Sequence, residues 1–533
     1  MAERWTVGCY LVELLAANGI DTVFGIPGVH TLELYRGLAA TGLRHILTRH
    51  EQGAGFAADG YARVSGRPAA AFVISGPGLT NILTPLAQAY SDSVPLLVVA
   101  STAARATLGK GWGVLHELRD QRALAAGAAG SAYSARSVED VRDHLQAAFA
   151  SFRSGRPRPA YLEVPLDLLA EPTALRGERF PPAPSAPQPD ARALAQAASW
   201  LSEASRPLII AGGGARAAGA HVQALVERLD ALLLTTTAGK GVLPEAHEAC
   251  LGASLPFPPV RELASSADVV LAAGTELSET DLYFIQHLPL KGRLIRVDID
   301  PVKLTDHYAA DLAIWGDASA ALEAIARQVE PRKGWRTKLG GASALRARAR
   351  FDGALDGPVQ ACVRALKAIR AAIPAAGAVF GDMTQITYIG GYAFSVDRPG
   401  CWFAPSGYGT LGFAFPAALG AKVAQPDRPV VALAGDFGLQ YTSPELATAV
   451  ELGLSLPVVL WNNRALAQIR DDMRTAEIPP VGVVARNPDF LALGRAYGAH
   501  AVHASGPGEL TQALTDALGR GVPTLIEVSD TEF

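Results

Sequence analysis

Residues 429–463 read PVVALAGDFGLQYTSPELATAVELGLSLPVVLWNN, and this stretch decides the fold class. Two continuous apolar runs, residues 429–434 and 457–461, flank residues 443–452, whose apolar positions recur at a spacing of about 3.6. Continuous rather than alternating hydrophobicity indicates strands that are covered on both faces, as in a parallel sheet between helices. The stretch therefore predicts a strand–helix–strand unit of an α/β protein.

The same kind of apolar run recurs along the whole chain. The other runs are residues 69–74, 95–100, 207–211, 268–273, 294–299 and 524–528. A proline-crowded segment, residues 172–189, predicts an extended linker. Residues 331–358 look like a second connector, because they are rich in Arg, Gly and Ala and lack a strand signal. We therefore expect three α/β domains with parallel sheets, covering residues 1–172, 190–330 and 359–533.

Composition and charge exclude several classes of protein. The 533-residue chain is 49% apolar and 18% charged, which is far from the composition of disordered proteins. Its formal net charge of −4 argues against nucleic-acid binding through a basic surface. The sequence has neither an apolar run approaching the roughly 20 residues that span a bilayer nor a secretory signal, and its four cysteines are scattered singly. We expect a cytoplasmic protein that contacts neither nucleic acid nor membrane.

Glu51 is the first candidate for chemistry. Apolar residues 45–48 precede it, and a segment rich in Gly and Ala follows it as far as Arg63. This location suits a carboxylate held in a tight, mostly apolar crevice. It also suits a glutamate that only stabilises a helix N-terminus through the helix dipole, and position alone favours that second interpretation.

A glycine-rich turn in the third domain allows a different function. Residues 407–412, GYGTLG, precede a helix-like segment, and the next strand ends at Asp436. Taken alone, this arrangement is similar to a dinucleotide-binding fingerprint with its ribose-binding acid, as in a nicotinamide-dependent dehydrogenase.

Asp436 and Asn463 are separated by one strand–helix–strand unit. Both therefore fall at the carboxyl ends of neighbouring parallel strands, where open α/β sheets bind ligands. A carboxylate and an amide oxygen are the hard ligands that Mg²⁺ prefers, and the backbone N–H groups of Phe437 and Gly438 can bind phosphate. A turn aspartate and a strand-ending asparagine without function are the alternative.

Taken together, the motifs resemble the thiamine diphosphate enzymes of the acetolactate synthase and pyruvate decarboxylase superfamily. They are residues 49–63 (RHEQGAGFAADGYAR), 75–81 (SGPGLTN) and 407–420 (GYGTLGFAFPAALG), with the pairs Gly435-Asp436 and Asn462-Asn463. Residues 211–214, 235–241 and 296–300 are similar to the central domain of the same family. The resemblance covers essentially the whole chain. It implies three doubly wound parallel-sheet domains. These are an N-terminal pyrimidine-binding domain, a central domain and a C-terminal diphosphate-binding domain.

The resemblance also implies roles for individual residues. Glu51 is expected to hydrogen-bond N1′ of the aminopyrimidine, so that the imino nitrogen can remove the C2 proton of the thiazolium. Leu411 would be wedged beneath the cofactor, and the carbonyl of Gly409 would receive a 4′-amino hydrogen. The implied Mg²⁺ ligands are Asp436, Asn463 and the carbonyl of Ala465. The other implied cofactor contacts are Pro27, Gly28, Thr384, Gln385, Thr410, Phe437 and Gly438.

Phe437 departs from the family pattern, which is usually Gly-Asp-Gly. A phenylalanine keeps its backbone N–H, but it would be strained if the position required a positive φ. We interpret it as a tolerated variant, because Gly438 follows immediately. A non-catalytic relative of the family is the alternative.

The implied chemistry is the decarboxylation of a 2-oxo acid. The product is then released as an aldehyde, or it is joined to a second carbonyl compound as in an acetolactate synthase-type carboligase. The family also implies a homodimer or homotetramer in which Glu51 and Asp436 of one active site come from different chains. We expect no FAD, because the central domain has no convincing flavin signature.

Several local stretches are similar to one branch of the family, the 5-guanidino-2-oxopentanoate (2-ketoarginine) decarboxylases, which form 4-guanidinobutanal. These stretches are residues 25–38, 109–117, 468–473 and 486–490. On this resemblance His30 and His116 would face the thiazolium as further catalytic residues, with Gln121 nearby as a weaker candidate. An isolated histidine is more often structural, so a structural role is the alternative for each.

A guanidinium tail needs planar carboxylate partners. Glu117, Asp471 and Asp472 are the candidate substrate-binding acids. Asp471 and Asp472 also suit a solvated helix face, because Arg470 and Arg474 flank them.

Overall fold

The continuous apolar runs form the inner strands of parallel sheets. A computed structural model of the chain describes residues 5–282, 285–332, 334–339 and 357–533. Residues 340–356, which belong to the expected second connector, lie outside the described residues. Within the described part, the strands form three sheets, and every neighbouring pair of strands is parallel. The predicted α/β fold class is confirmed.

The first sheet has six strands in the order β2-β1-β3-β4-β6-β5. Its strands are β1 (Thr22–Gly25), β2 (Arg44–Leu47), β3 (Ala69–Val73), β4 (Leu96–Thr102), β5 (Ser131–Ser134) and β6 (Ala160–Pro165). The helices are α1 (Val7–Ala17), α2 (Leu32–Thr41), α3 (Glu51–Ser65), α4 (Pro77–Ser91), α5 (Gln121–Ala126), α6 (Val138–Ser154) and α7 (Leu166–Leu169). Inner strands β3 and β4 are buried throughout, because both faces of the sheet are covered, whereas the edge strands β2 and β5 are partly exposed.

The central sheet has five strands in the order β11-β10-β9-β7-β8. They are β7 (Pro207–Ala211), β8 (Leu232–Thr235), β9 (Val269–Ala273), β10 (Arg293–Asp298) and β11 (Leu312–Trp315). The helices of this region are α8 (Ala191–Glu203), α9 (Gly219–Leu229), α10 (Pro258–Ser266), α11 (Glu279–Leu282), α12 (Ala318–Gln328) and α13 (Trp335–Lys338).

The third sheet again has six strands, in the order β13-β12-β14-β15-β17-β16. They are β12 (Ala378–Gly381), β13 (Trp402–Phe403), β14 (Val430–Gly435), β15 (Pro457–Asn462), β16 (His500–His503) and β17 (Thr524–Ser529). The helices are α14 (Gly357–Ala372), α15 (Gln385–Ala393), α16 (Ala414–Ala424), α17 (Asp436–Thr442), α18 (Glu445–Glu451), α19 (Ala467–Thr475), α20 (Phe490–Ala496) and α21 (Pro507–Ala517). No helix among the described residues combines the length and the apolar character needed to cross a membrane.

Helices α3 and α16 join the first and third domains by direct backbone contact. A Cβ atom on Gly60 would overlap the carbonyl oxygen of Ala417, and one on Gly420 would overlap that of Ala57. The small residues after Glu51 are therefore explained by close helix packing. Side chains of both domains form one continuous apolar cluster. This packing fixes the start of α3, and with it Glu51, relative to the third domain of the same chain.

Candidate active site

Asp436 lies at the carboxyl end of β14, where it begins α17. The residue is only 2% exposed. Its Oδ1 accepts the Phe437 N–H at 3.1 Å, and its Oδ2 accepts Asn487 Nδ2 at 2.7 Å. Burial raises the pKa of Asp436, and the hydrogen bond from Asn487 lowers it. Because its donors within the described chain are neutral groups, the charge of this carboxylate is available to a cation.

Asn463 follows β15, the strand beside β14. Its Oδ1 accepts the Ala465 N–H at 3.2 Å, and its Nδ2 lies 3.5 Å from Gln385 Oε1. Arg464 has a φ of +56°, so the chain turns sharply after the strand. This turn brings Asn463 and Ala465 to the same cavity as Asp436.

A cavity of about 570 Å³ lies at this edge of the third sheet. The central domain supplies part of its wall, namely residues 235–237 and 279–281. Thr410 is not among the lining residues, and its buried Oγ1 has no hydrogen-bond partner within the described structure. The predicted site residues that line the cavity are Thr384, Gln385, Gly409, Leu411, Asp436, Phe437, Gly438, Asn463, Ala465 and Asp472.

Asp382 connects three segments of this cavity. It is 1% exposed, and burial raises its pKa to about 6. Its carboxylate accepts the Met383 N–H at 2.8 Å and the Gly412 N–H at 3.1 and 2.9 Å. A Cβ atom on Gly438 would overlap Asp382 Oδ2. Asp382 therefore fixes the loop that ends at Gly412, in which Gly409 has a φ of +72° that suits glycine.

Phe437 is accommodated without backbone strain. It lies in the first turn of α17, and it is not among the residues with a positive φ. Position 437 therefore does not require glycine in this chain. The glycine that packing does require is Gly438, which lies against Asp382.

The two adjacent acids of α19 have different surroundings. Asp471 pairs with Arg470 at 2.9 Å and with Arg474 at 3.3 Å, and it does not line the cavity. Asp472 does line the cavity, and its Oδ1 accepts Gln468 Nε2 at 3.0 Å. Only Asp472 of this pair can reach a ligand in the cavity.

Glu51 begins α3 on the first domain. Asn81 of α4 donates from Nδ2 to Glu51 Oε2 at 2.9 Å, which fixes one oxygen and leaves the other for a ligand. His30 Nδ1 is hydrogen-bonded to Ser75 Oγ at 2.9 Å. The His30 and His116 rings meet edge to face at 5.1 Å, and burial, followed by the charge of His116, lowers the pKa of His30. Both effects favour the neutral imidazole, which is the form that can accept a proton.

Gln121 is tied into the first domain. Its Oε1 accepts the Gly76 N–H at 2.9 Å, and its Nε2 donates to the Ser101 carbonyl at 2.9 Å and to the Tyr161 hydroxyl at 2.8 Å. Glu163 lies 3.3 Å from the same Nε2. These contacts occupy both ends of the amide, so Gln121 holds the turn at Gly76 in position.

Among the remaining predicted residues of the first domain, Glu117 and Gly28 form hydrogen bonds within their own loops. Glu117 accepts the N–H groups of Gly111 at 2.9 Å and Gly113 at 2.8 Å, so both of its oxygens are engaged. Gly28 donates its N–H to Thr31 Oγ1 at 3.0 Å, and Pro27 precedes it.

Within one chain, the two halves of the predicted site are separate. The cavity that contains Asp436 is lined by residues of the central and third domains. The predicted residues absent from its lining are Pro27, Gly28, His30, Glu51, His116, Glu117, Gln121, Thr410 and Asp471.

Comparisons with protein-family models account for all three domains. The N-terminal TPP-binding domain of thiamine pyrophosphate enzymes matches residues 5–124, the central domain matches residues 194–325, and the C-terminal TPP-binding domain matches residues 382–528. The chain is a thiamine pyrophosphate enzyme. The family predicted from the motifs is confirmed, and thiamine diphosphate is the cofactor that such domains bind.

Three curated relatives span nearly the whole chain. A probable 2-ketoarginine decarboxylase, AruI, of Pseudomonas aeruginosa is 51% identical over 98% of this chain and 94% of its own length. A probable acetolactate synthase large subunit of Methanocaldococcus jannaschii is 29% identical, over 97% and 90%. The large subunit of acetolactate synthase isozyme 1 of Escherichia coli is 30% identical, over 99% and 94%.

Sequence reasoning gave no role to three polar residues of this thiamine pyrophosphate enzyme. Asn487 donates both to Asp436 and, at 2.9 Å, to Asn462 Oδ1, and its own buried Oδ1 has no partner within the described structure. Asp382 and Asn81 are the other two. Asp382 follows a buried strand, as Asp436 does, and that placement was the available signal. Asn81 gave no signal beyond its position in the motif SGPGLTN.

Proposed function

We propose that this enzyme decarboxylates 5-guanidino-2-oxopentanoate to 4-guanidinobutanal and carbon dioxide, with thiamine diphosphate and Mg²⁺. The observation that carries the proposal is Asp472, an acid in the cavity that also contains Asp436. The high identity to a relative named as a 2-ketoarginine decarboxylase supports the same substrate. A carboxylate partner suits a guanidinium, which it can bind through two parallel hydrogen bonds.

The donor set of the third domain fits a diphosphate-bound magnesium ion. Asp436, Asn463 and the Ala465 carbonyl would hold the ion, since each offers a hard oxygen at one cavity edge. Asn487 lies outside the cavity lining and donates to Asp436, so it positions this carboxylate for the ion. The cofactor would supply a carbon nucleophile and an electron sink for the pair released when carbon dioxide leaves.

The first domain would supply proton transfer. Glu51 keeps Oε1 for the pyrimidine N1′, because its Oε2 accepts from Asn81. His30, being neutral, would take or return a proton near the substrate carbonyl, and His116 packs against its ring. Leu411 and the Gly409 carbonyl would contact the cofactor from the cavity wall. Gln121 acts through the Gly76 turn as a positioning residue.

A second subunit would complete the active site. Since Glu51 does not line the cavity of its own chain, we infer a homodimer, or a homotetramer made of two such dimers, in which Glu51 of one subunit faces Asp436 of another. Large apolar side chains are exposed on both halves, which is typical of interfaces. They include Val29, Leu32, Trp112 and Leu115 on the first domain, and Tyr408, Ile469, Val481 and Val484 on the third domain. Full activity in a monomeric fraction from sedimentation would contradict this assembly.

Product analysis tests the proposed reaction. The enzyme, supplied with thiamine diphosphate and Mg²⁺, is given 5-guanidino-2-oxopentanoate, 2-oxopentanoate or pyruvate. We expect the guanidino acid to be preferred and to yield one aldehyde per carbon dioxide. The acetolactate synthase relatives favour one alternative, a carboligase. Acetolactate as the main product from pyruvate would establish that alternative and refute the decarboxylase.

A further inference from the structure

The charged side chains that line the cavity containing Asp436 are all acidic. Four acids line it: Glu279, Asp281, Asp436 and Asp472. Within the described part of the chain, no lysine, arginine or histidine is among its lining residues. Such a cavity attracts cations, since low-dielectric walls strengthen the field of its carboxylates. One acid, Asp436, belongs to the proposed magnesium site, so three acids remain for another cationic group.

Asp281 is poorly satisfied by its own neighbours. Its Oδ1 accepts the Thr237 N–H at 3.4 Å, and its Oδ2 accepts Ser278 Oγ at 3.3 Å, so both hydrogen bonds are long. Burial raises its pKa to about 6. No lysine, arginine or histidine of the described chain forms an ion pair with it. A carboxylate in this condition gains most from a cationic ligand that brings its own N–H donors.

Aromatic rings line the same cavity as these acids. Tyr388, Tyr392, Trp402 and Tyr408 are among the lining residues. Burial, followed by the charges of Asp382 and Asp472, raises the pKa of Tyr388 to about 12, so Asp472 lies within electrostatic reach of this ring. A guanidinium is planar and weakly hydrated, and it binds aromatic faces as well as carboxylates. The combination fits a guanidinium better than a compact ammonium ion.

We propose that Asp281 and Glu279 of the central domain, together with Asp472 of α19, bind the guanidinium tail of the substrate. The central domain thereby determines substrate specificity, while the strand ends of the third domain hold the cofactor. The inference rests on the proposed function, because that reaction supplies a substrate with a cationic chain. Glu279 is exposed, whereas Asp281 is partly buried.

A neutral isostere of the substrate shows how much the guanidinium charge contributes to substrate recognition. In 5-ureido-2-oxopentanoate an oxygen replaces one nitrogen of the guanidinium, so the size is kept and the charge is lost. Wild-type holoenzyme is expected to prefer the guanidino acid by at least about 100-fold in kcat/KM, since a site built for hydrogen-bonded groups rejects unpaired ones strongly. Asp281→Asn should reduce this preference at least about tenfold, through a higher KM for the guanidino acid and little change for the ureido acid.

Asp471→Asn is the matched control, because Asp471 is adjacent to Asp472 but pairs with arginines outside the cavity. It should keep the wild-type preference. Glu279→Gln is the second variant, since its exposed side chain can be changed without disturbing the fold, and it should weaken the preference severalfold. Wild-type preference in both Asp281→Asn and Glu279→Gln would overturn the proposal.

A binding measurement separates this proposal from the proposed reaction. 5-Guanidinopentanoate lacks the 2-oxo group, so its binding to the holoenzyme can be followed by calorimetry without turnover. The dissociation constant should rise at least about tenfold in Asp281→Asn and stay unchanged in Asp471→Asn. If wild-type enzyme decarboxylates neither oxo acid but shows this binding pattern, the proposed reaction fails and the guanidinium site stands. If decarboxylation of the guanidino acid is confirmed but the binding constants are equal, the site alone fails.

Discussion

The first and third domains share one strand order but carry different chemistry. Numbered within its own sheet, each follows the order 2-1-3-4-6-5. After the third strand of each, the first domain has Ser75 and Gly76, and the third domain has Asp436. The scaffold is therefore common to both, and the two edges differ in the residues that follow their strands.

At both edges, polar groups find neutral partners within their own domain. In the first domain, these groups are Gln121 and Glu51. In the third domain, Asp436 accepts from Phe437 and Asn487. The edges differ in that Asp436 lines the cavity of its own chain, whereas Glu51 and Gln121 do not.

Glu51→Gln should have the largest effect, because it removes the acid proposed to act on the pyrimidine. We expect kcat to fall by at least about 100-fold, which is typical of the loss of a general acid or base. Thiamine diphosphate should still bind, as measured by calorimetry with Mg²⁺ present. Glu139→Gln, at an exposed position on α6, is the control and should keep wild-type turnover. Undiminished decarboxylation by Glu51→Gln would remove the functional contrast between the two edges.

Asp436→Asn should weaken the binding of thiamine diphosphate, whereas Glu51→Gln should slow the chemical step. The variant keeps the shape of the side chain but loses the charge offered to Mg²⁺. We expect the dissociation constant of thiamine diphosphate, measured by calorimetry, to rise at least about tenfold when Mg²⁺ is present, by about 1.4 kcal/mol or more. Removal of Mg²⁺ by a chelator should weaken binding in wild type and have little effect in the variant. Equal metal dependence in both proteins would contradict the assignment of Asp436.

Gly60→Ala tests the contact that joins the two domains. The new methyl group would overlap the Ala417 carbonyl, and a backbone atom cannot swing aside as a side chain can. Overpacking of this kind costs about 1–3 kcal/mol, which denaturant unfolding would show as a lower midpoint. Gly508→Ala is the control, since Gly508 lies in α21 with open space around its Cβ position. The stability of this variant should be unchanged or slightly higher than that of wild type. Equal stability of Gly60→Ala and wild type would show that the helices separate without cost.

Glu163→Gln should have the smallest effect, and it depends on pH. Burial raises the pKa of Glu163 above its ordinary 4.5, while hydrogen bonds from Ser134, Tyr161 and Gln121 oppose the change. A raised folded-state pKa gives stability that is present below pH 4.5 and lost as pH rises through the folded value. As pH rises above 4.5, the unfolding free energy of the variant should therefore fall less than that of wild type. Urea unfolding at several pH values measures this difference. Parallel pH profiles would show that the carboxyl is not destabilised by burial.

Eight inner strands were predicted as continuous apolar runs, whereas the inner strands β1, β6 and β12 were not. Continuous apolar runs such as those of β3 and β14 are forced by burial on both faces, so they are visible without a structure. Edge strands such as β5 and β16 are half-exposed, and they contain Ser or His where an inner strand has Val or Leu. Their existence depends on a neighbouring strand to pair with, which local sequence does not reveal.

The sequence by itself determined the family, the parallel α/β class and the identity of the residues at the strand ends, because these depend on local pattern and motif. The tertiary structure decided which acids share a cavity: Asp472 lines it while its neighbour Asp471 pairs with arginines, and Asp281 reaches it from another domain. The physical reason is that a side chain's charge environment depends on groups distant in sequence, whose positions are set only when helices and sheets pack against each other.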